Sequence, residues 1–217
     1  MDIAIIGTGN VGKALGSSLV RAGHNVTFSA SNPQHATDAA ADVGARAAAS
    51  NNEAVNAADL VILAIPATAL GAVATEIGAS AAGKVVVDVS NRPTPDPAGA
   101  PTSIAEELQA QLPGSSVVKA FNTAFAVRQA DPVVDGIQLD GFVAGDDGDG
   151  KTAVLELVES AGFRPIDVGP LPMARTLEAL GWLNIQLQIR NGWPWQGGWK
   201  FAGPSEASRA TVSAARR

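Results

Sequence analysis

The chain has 217 residues, of which 46% are hydrophobic and 17% charged, and this is enough apolar material for one folded domain with a sizeable core. Its net charge of −6 and pI of about 4.8 argue against a nucleic-acid-binding surface, and no apolar run approaches the roughly 18 residues that span a membrane. The absence of cysteine excludes disulfides and thiolate metal sites, and it predicts a reducing compartment, the cytoplasm.

The amino-terminal half alternates short apolar runs with helical patterns. Asp2 to Ile6 predicts a buried strand that ends at a glycine, and Asn10 to Ala22 predicts a helix with one apolar face. The strands and helices predicted next are, in chain order, Val26–Phe28, a helix from Asn32-Pro33, Ala45–Ala48, Leu60–Ile65, a helix over Thr68–Ser80 and Val85–Val89. Strands that alternate with helices at this spacing predict a parallel sheet covered on both faces.

The second half continues the alternation after a proline-rich loop from Arg92 to Pro101. The elements predicted there are a helix over Ser103–Gln111, strands at Val117–Phe121 and Phe142–Ala144, a helix over Thr152–Ala161 and a strand at Pro165–Val168. A last helix, Ala174–Ile189, is apolar nearly all round, so we expect it to be buried on most sides, against the sheet and against a second subunit of a homodimer. The pattern predicts an α/β fold: a Rossmann-type, doubly wound, mostly parallel sheet over 1–170 with a short helical appendage over 171–217.

The segment Gly7-Thr8-Gly9-Asn10-Val11-Gly12 has the spacing G-x-G-x-x-G between the first strand and the first helix. In this motif the first glycine permits a tight turn, the second lets the backbone approach a pyrophosphate, and the third allows close packing of helix and strand. Backbone N–H groups at the positive end of the helix then hold the anion. The segment therefore predicts a dinucleotide site that includes all six residues, and a glycine-rich turn kept for packing is the alternative.

The residues after the second strand decide which dinucleotide is predicted. NAD sites usually carry an acid there to hold the ribose hydroxyls, but this chain has Ser29, Ala30, Ser31 and Asn32, with no carboxylate before Asp38. A carboxylate would repel a 2′-phosphate, whereas serine and asparagine side chains can donate hydrogen bonds to one. NADP(H) is therefore favoured, with Ser29, Ser31 and Asn32 as contacts, and a pocket that takes either cofactor is the alternative.

Motifs along nearly the whole chain are similar to those of one known family. They are Ile6 to Gly12, Ser31-Asn32-Pro33, Asp88-Val89-Ser90-Asn91, Lys119-Ala120-Phe121-Asn122-Thr123, Gly145-Asp146-Asp147, Gly169-Pro170-Leu171, Ala174-Arg175 and Leu177-Glu178. On these motifs the chain resembles the coenzyme F420-dependent NADP oxidoreductases and their relatives, which include the cytosolic domain of the STEAP metalloreductases. Members with the best-defined coenzyme F420 site tend to have arginines where this chain has Ser31 and Asn32.

The resemblance implies an NADP(H)-linked oxidoreductase that transfers a hydride directly between the nicotinamide C4 and the ring of a deazaflavin, coenzyme F420, or of a flavin. Such a transfer needs two rings held face to face in a water-poor cleft, and no catalytic residue. The family's cleft lies beyond the carboxyl ends of the strands. Mapped onto this chain, the resemblance places Ile65, Pro66 and Asn91 on the cofactor side and Ser90, Asn122 and Thr123 on the acceptor side.

Other conspicuous residues are interpreted structurally. We expect Lys119, near the end of an apolar strand, to pair with a carboxylate or a carbonyl, and His24 to lie away from the cleft, whereas His35 lies near the predicted 2′-phosphate position. The run Gly145–Gly150 lacks the alternating ligands and the twelfth-position glutamate of a calcium loop, so no metal site is predicted. We expect Trp193–Trp199 to anchor the tail to the core or to a partner chain, with stacking on the acceptor ring as the alternative.

Two other functions stay open at this point. A non-catalytic dinucleotide sensor would normally carry an output module, whereas the residues left after the sheet predict only an apolar helix and a tryptophan-rich tail. A reductase of a small carbonyl or imine would normally add a large helical domain, for which too few residues follow the sheet. We therefore expect a small-molecule redox co-substrate.

Overall fold

The computed structural model of the chain describes residues 1–92, 100–146 and 148–203. Its strands are β1 (Asp2–Ile6), β2 (Asn25–Ser29), β3 (Arg46–Ala47), β4 (Leu60–Leu63), β5 (Val85–Asp88), β6 (Ser116–Lys119), β7 (Val133–Val134), β8 (Ile137–Gln138), β9 (Asp140–Gly145) and β10 (Arg164–Gly169). Its helices are α1 (Asn10–Arg21), α2 (Pro33–Val43), α3 (Asn51–Asn56), α4 (Ala67–Ile77), α5 (Ile104–Gln111), α6 (Ala126–Ala130), α7 (Gly148–Ser160) and α8 (Ala174–Asn191). Most of the predicted proline-rich loop, Asp147 and the end of the predicted appendage lie outside the described residues.

Eight strands form one sheet in the order β10-β9-β6-β5-β4-β1-β2-β3. From β3 to β6 neighbouring strands are parallel, and their pairing sets Ser29, Ile6, Leu63, Asp88 and Lys119 in one row across the sheet. Because each of these residues ends its strand, the row marks the carboxyl edge. The chain order reverses between β1 and β4, which is where open α/β sheets bind their ligands. The predicted doubly wound, mostly parallel sheet is confirmed.

One strand runs against the others. β9 pairs with β6 in the antiparallel sense, with Lys119 opposite Ala144, and β10 pairs in parallel with β9. Both strands were predicted, but as a continuation of the parallel alternation, and that part of the prediction is wrong. A buried strand shows the same apolar run in either direction, so the sequence pattern does not reveal the reversal.

The core lies in two layers, one on each face of the sheet. Along β1, Ile3 and Ile5 belong to the layer that also holds α1, α2 and α7, while Ala4 and Ile6 belong to the layer with α3, α4, α5 and the start of α8. Successive side chains of a strand point to opposite faces, which explains this division. Because both faces are covered, the strands read as continuous apolar runs.

Three short elements were not predicted: α3, α6 and the β7–β8 hairpin. Helices of six and five residues are too short to show a 3.6-residue apolar period. The start of α3 does carry a local signal, since the Ser50 hydroxyl accepts the N–H of Glu53 and the Glu53 carboxylate accepts the N–H of Ala49. Ser-x-x-Glu is a known helix-start pattern.

The last helix, α8, buries a mixed face and leaves apolar side chains in solvent. Its buried residues include Leu177 but also Glu178, Asn184 and Gln188, whereas Leu183 is 47% and Ile189 58% exposed. The prediction of a helix buried on most sides is therefore wrong for the single chain, since some of its apolar residues are exposed. Polar residues of the helix are buried in their place, because groups on other elements form hydrogen bonds with them. The homodimer stays a prediction. Within the described ranges, no helix combines the length and apolarity needed to cross a membrane.

The segment after α8 is held at the start of β9. The Trp199 carbonyl accepts the N–H of Asp140 at 2.8 Å, and the Phe201 N–H donates to the Asp140 carboxylate, which also accepts Arg164 Nε at 2.6 Å. This confirms the predicted anchoring of the tail to the core at Trp199. The other two tryptophans of the segment, Trp193 and Trp195, are about half exposed.

Candidate functional site

The loop between β1 and α1 requires glycine at its first and last motif positions. Gly7 has φ of +113°, and a side chain there would lie 2.2 Å from the Ala64 carbonyl oxygen. A side chain at Gly12 would lie 2.1 Å from the Gly7 carbonyl oxygen. At both positions a backbone carbonyl oxygen occupies the space that a side chain would need. These two glycines are therefore required for the shape of the loop whether or not a ligand binds.

Gly9 differs from its two neighbours in the motif. Its φ of −73° suits any residue, and a Cβ built there meets nothing within 4 Å. It is the N-cap of α1, which has no side-chain cap and no acidic residue in its first turn, so the first amides of the helix are open to an anion. The open space at Gly9 and these amides fit a dinucleotide pyrophosphate.

A cavity of about 610 Å³ opens beside this loop, over the carboxyl ends of β1, β2 and β4. Its volume falls within the roughly 300–1,000 Å³ of small-molecule and cofactor sites. The predicted site residues that line it are Gly7, Thr8, Gly9, Ser31, Ile65 and Pro66, and His35 lines it as well. Among its described lining residues none is lysine or arginine, and Ser31 and His35 lie among its polar lining residues.

Four other predicted cofactor residues line neither this cavity nor the smaller one described below. Ser29 is fully buried, and its hydroxyl donates to Asn51 Oδ1 at 2.9 Å, so it supports the wall from behind. Asn32 caps α2 by accepting the N–H of Gln34 at 3.0 Å. Asn10 begins α1, and Gly12 lies buried within it.

Sequence reasoning missed three polar residues of the same cavity, Ser50, Asn51 and Glu76. Asn51 Nδ2 donates to Glu76 Oε2 at 2.9 Å, which links α3 to α4 across the cavity wall. Asn51 is the first residue of the unpredicted helix α3, so the Ser-x-x-Glu signal at its start was the available clue. Glu76 gave no signal, since an acid on a helix is usually a solvent-exposed residue.

A smaller cavity of about 140 Å³ lies over the carboxyl ends of β5 and β6, against α8. Its walls include Asn91, Asn122 and Thr123, three residues predicted to bind the cofactor or the acceptor, together with Val11 from the motif. The structure therefore brings residues about 30 and 110 positions apart into one wall. Two residues that were not predicted also line it, Phe125 from the loop before α6 and Asn184 from α8.

Asn91 and Asn122 hold each other in place. Asn122 Nδ2 donates to Asn91 Oδ1 at 2.8 Å and to the Leu177 carbonyl at 2.9 Å, and Asn91 Nδ2 donates to the Asn122 carbonyl at 2.8 Å. A side chain at Gly181 of α8 would lie 2.7 Å from Asn91 Oδ1, so the helix packs directly on the pair. Asn122 Oδ1 is buried and finds no hydrogen-bond partner among the described residues, whereas most buried acceptors in proteins have one.

The backbone leading into this pair is strained. Phe121 has φ of +62°, a left-handed conformation that a bulky residue rarely adopts. The buried Gln129 side chain holds the turn, since its Nε2 donates to the carbonyls of Phe121 and Ala124. Strained residues of this kind persist where the surroundings impose them, often at ligand sites.

Below the smaller cavity lies a buried ion network centred on Lys119. Its Nζ lies 2.8 Å from Asp88 Oδ2, 2.6 Å from the Ser90 carbonyl and 3.2 Å from Glu178 Oε1, and all three charged side chains are at most 1% exposed. The predicted pairing of Lys119 with a carboxylate or a carbonyl is confirmed, and the structure shows both kinds of partner. Glu178 also accepts the N–H of Ile104, so the network joins β5, β6, α5 and α8.

The network also accounts for Ser90, which was predicted to face the acceptor. Its hydroxyl and its N–H both donate to Asp88 Oδ1, at 2.6 and 2.9 Å, so the side chain points into the network and away from the smaller cavity. Burial raises the pKa of Glu178, and the charge of Lys119 opposes that rise. The three charged groups are thus committed to one another.

The remaining candidates lie away from the cavities. His24 bonds to the Ser160 hydroxyl at 2.9 Å, on the side of the sheet opposite the carboxyl edge, in agreement with the predicted structural role. Asp146 accepts the N–H of Leu171 at 2.7 Å, while Asp147 lies outside the described residues. The described part of the chain contains no cluster of three acidic, histidine or cysteine side chains suited to a metal ion.

Comparisons with known proteins agree with this geometry. The profile of the family described as NADP oxidoreductase, coenzyme F420-dependent, matches residues 2–92. Metalloreductase STEAP3 of Rattus norvegicus is 30% identical over 182 residues, which are 82% of this chain and 36% of that protein. The chain thus spans about a third of the length of that metalloreductase.

Two smaller relatives are matched over almost their whole length. The F420-dependent NADP reductase of Methanothermobacter marburgensis is 30% identical over 211 residues, which cover 88% of this chain and 94% of that protein. A crystal structure of an Arthrobacter sp. FB24 protein, assigned as an F420-dependent NADP reductase, superposes with a TM-score of 0.84 at 28% identity, covering 94% of this chain and 100% of that one. The chain therefore belongs to the family of coenzyme F420-dependent NADP oxidoreductases.

Proposed function

We propose that the protein transfers a hydride directly between NADP(H) and the ring of coenzyme F420, with a flavin as the alternative acceptor. The observation that carries the proposal is the presence of two cavities along one edge of the sheet. The larger lies beside the glycine loop with its open helix amides, and amide side chains and two phenylalanines line the smaller one. Val11, two residues after Gly9, lines the smaller cavity, so the loop region borders both. When bound, NADPH supplies a hydride from the nicotinamide C4, and the acceptor ring takes it together with a proton from solvent.

The larger cavity would hold the phosphate and adenosine part of the cofactor. The open position at Gly9 and the amides after it would receive the pyrophosphate. Ser31 and His35 would face the 2′-phosphate and donate hydrogen bonds to it in place of arginine. Ile65 and Pro66 would give an apolar wall beside the cofactor chain.

The smaller cavity would receive the nicotinamide end and the edge of the acceptor. The unpartnered Asn122 Oδ1 is an acceptor, and the nicotinamide carboxamide has N–H groups to donate to it. Asn91 would keep the Asn122 side chain in that orientation through their two mutual hydrogen bonds. Thr123 completes the wall.

The chain's contribution to such a transfer would be positioning and the exclusion of water. Direct hydride transfer requires no general acid or base from the protein, because the two rings only have to lie face to face at reacting distance. Lys119 lies two residues before Phe121 of the cavity wall, and it is already committed to Asp88 and Glu178. No residue is therefore assigned as catalytic.

A spectroscopic assay tests the proposal. Purified protein is mixed with NADPH and, separately, with coenzyme F420, FMN or no acceptor, and the nicotinamide absorbance at 340 nm is followed. We expect the band to decay with coenzyme F420, and more slowly when NADH replaces NADPH. Decay with FMN alone would identify the flavin as the acceptor, and no decay with any deazaflavin or flavin contradicts the proposed activity.

A substitution after β2 tests the cofactor preference. Ser31→Asp places a carboxylate at the ribose end of the larger cavity, so like-charge repulsion should weaken NADPH binding about tenfold or more while NADH binding changes little. Ser31→Ala is the control, because it removes the hydroxyl without adding charge. Isothermal titration calorimetry of both variants decides the outcome, and an unchanged NADPH affinity for Ser31→Asp would show that the 2′-phosphate lies elsewhere.

A further inference from the structure

The segment between α8 and the anchor at Trp199 holds one tryptophan in an unusual state. Trp195 has φ of +58°, the left-handed conformation that bulky residues rarely adopt. Its side chain is nevertheless 48% exposed, so burial of the indole does not account for the strained backbone. The ring packs edge-on against Phe125, with centroids 5.5 Å apart and an interplanar angle of 74°.

The conformation is imposed by the elements that wall the smaller cavity. Arg128 Nε of α6 donates to the Gln196 carbonyl at 2.7 Å, and Asn184 Nδ2 of α8 donates to the Gly197 carbonyl at 3.3 Å. A side chain at Gly197 would lie 2.6 Å from Gln188 Nε2, so the segment lies directly on α8. Contacts with α6 and with α8 thus fix the turn that carries Trp195.

The smaller cavity is too small to hold a three-ring acceptor by itself, so the acceptor would need an additional contact surface beside it. At about 140 Å³ it is well below the roughly 300–1,000 Å³ of small-molecule sites. A three-ring acceptor therefore has to extend past its rim. Phe125 lines the cavity, and Trp195 contacts Phe125 from the outside, so the two rings continue the wall in that direction.

We propose that Phe125 and Trp195 form the outer half of the acceptor site, on which the planar three-ring system of a deazaflavin or flavin stacks. This rests on the function proposed above. Flat aromatic ligands gain from stacked or edge-on contacts with exposed aromatic side chains. Anchoring of the tail does not need Trp195, because the contacts at Asp140 come from the backbone of Trp199 and Phe201.

The chain offers a matched control for a test of this surface. Trp193 is 49% exposed in the same segment, and no aromatic ring packs against it among the described residues. Trp195→Leu removes the stacking face, Trp195→Phe restores an aromatic face, and Trp193→Leu removes an equally exposed indole two residues away. Each variant is compared with the unmodified full chain by steady-state kinetics and by titration of tryptophan fluorescence with coenzyme F420 and with FMN.

We expect Trp195→Leu to raise the KM for the acceptor about 3- to 10-fold and to remove most of the ligand-induced fluorescence quenching, with the Kd for NADPH unchanged. Trp195→Phe should recover most of the lost affinity, and Trp193→Leu should behave like the unmodified chain. Equal effects of Trp193→Leu and Trp195→Leu, or a parallel loss of NADPH binding, would overturn the assignment. If the unmodified chain shows no turnover, the proposed function fails, but the equilibrium titrations still decide whether a flat ring binds at Trp195.

Discussion

Gly9→Val should lower the affinity for NADPH about 10- to 100-fold while leaving the fold intact. The valine side chain would enter space that is empty in the protein, where no atom lies within 4 Å of a Cβ at this position. The same space is where a pyrophosphate would have to reach the first amides of α1, and loss of one charge-assisted hydrogen bond costs about 1.5–3 kcal/mol. Calorimetric titration with NADPH measures the affinity, and thermal unfolding measures the stability.

Two other glycines separate the binding effect from a general effect of substitution. Gly12→Ala should lower both the melting temperature and the affinity, because its Cβ would lie 2.1 Å from the Gly7 carbonyl oxygen. Gly148→Val, at the start of α7, also enters open space but far from the motif, so it should leave NADPH binding unchanged. Unaltered NADPH binding by Gly9→Val would mean that the loop does not receive the pyrophosphate.

Lys119→Met should destabilise the protein by about 3–5 kcal/mol, the cost of leaving a buried charge without its partner. The substitution leaves the Asp88 and Glu178 carboxylates buried at one site with no cation, although methionine fills much of the volume of the lysine stem. Chemical denaturation of the variant and of the unmodified chain measures the difference. A second change, Glu178→Gln, should recover part of the loss because it removes one of the two uncompensated charges.

The loss of folding stability in Lys119→Met should also depend on pH in a defined direction. Burial raises the pKa of Glu178, and Lys119 opposes that rise, so removing the lysine raises the pKa of Glu178 further. A carboxyl whose pKa is raised by folding contributes stability below its ordinary unfolded pKa and loses it as the pH rises through the folded value. The deficit of Lys119→Met should therefore be smaller at pH 5 than at pH 8. An equal deficit at both pH values would show that lost packing, rather than charge, causes the destabilisation.

The tertiary arrangement changed the roles of several predicted site residues. Ser29 ends β2 and Ser90 follows β5, as candidate ligands should, yet their hydroxyls donate to Asn51 and Asp88 inside the protein. Asn51 belongs to another element, α3, and Asp88 ends β5 itself. The position of a serine at the end of a strand does not determine the direction of its hydroxyl. Asn51 lines the larger cavity and was not predicted, because its sequence position likewise does not determine where its side chain points.

The carboxyl-terminal helix shows the limit of reading burial from composition. Its apolar residues occur on most sides, but Leu183 is exposed while Asn184 and Gln188 are buried. The buried amide of Asn184 donates to the carbonyls of Thr123 and Gly197, 61 positions before it and 13 after it. A polar side chain can be buried wherever distant backbone groups satisfy it, and its own sequence neighbourhood does not reveal them.

The sequence by itself determined the alternation of strands and helices, the parallel carboxyl edge and the loop at Gly7–Gly12, because apolar period and the conformational freedom of glycine act over a few neighbouring residues. Only the tertiary structure decided the reversed direction of β9, the buried network at Lys119, the unpartnered acceptor of Asn122 and the exposed, strained Trp195. Each of these depends on groups brought together from elements tens of residues apart, so the physical cause lies in packing and hydrogen-bond satisfaction rather than in local preference.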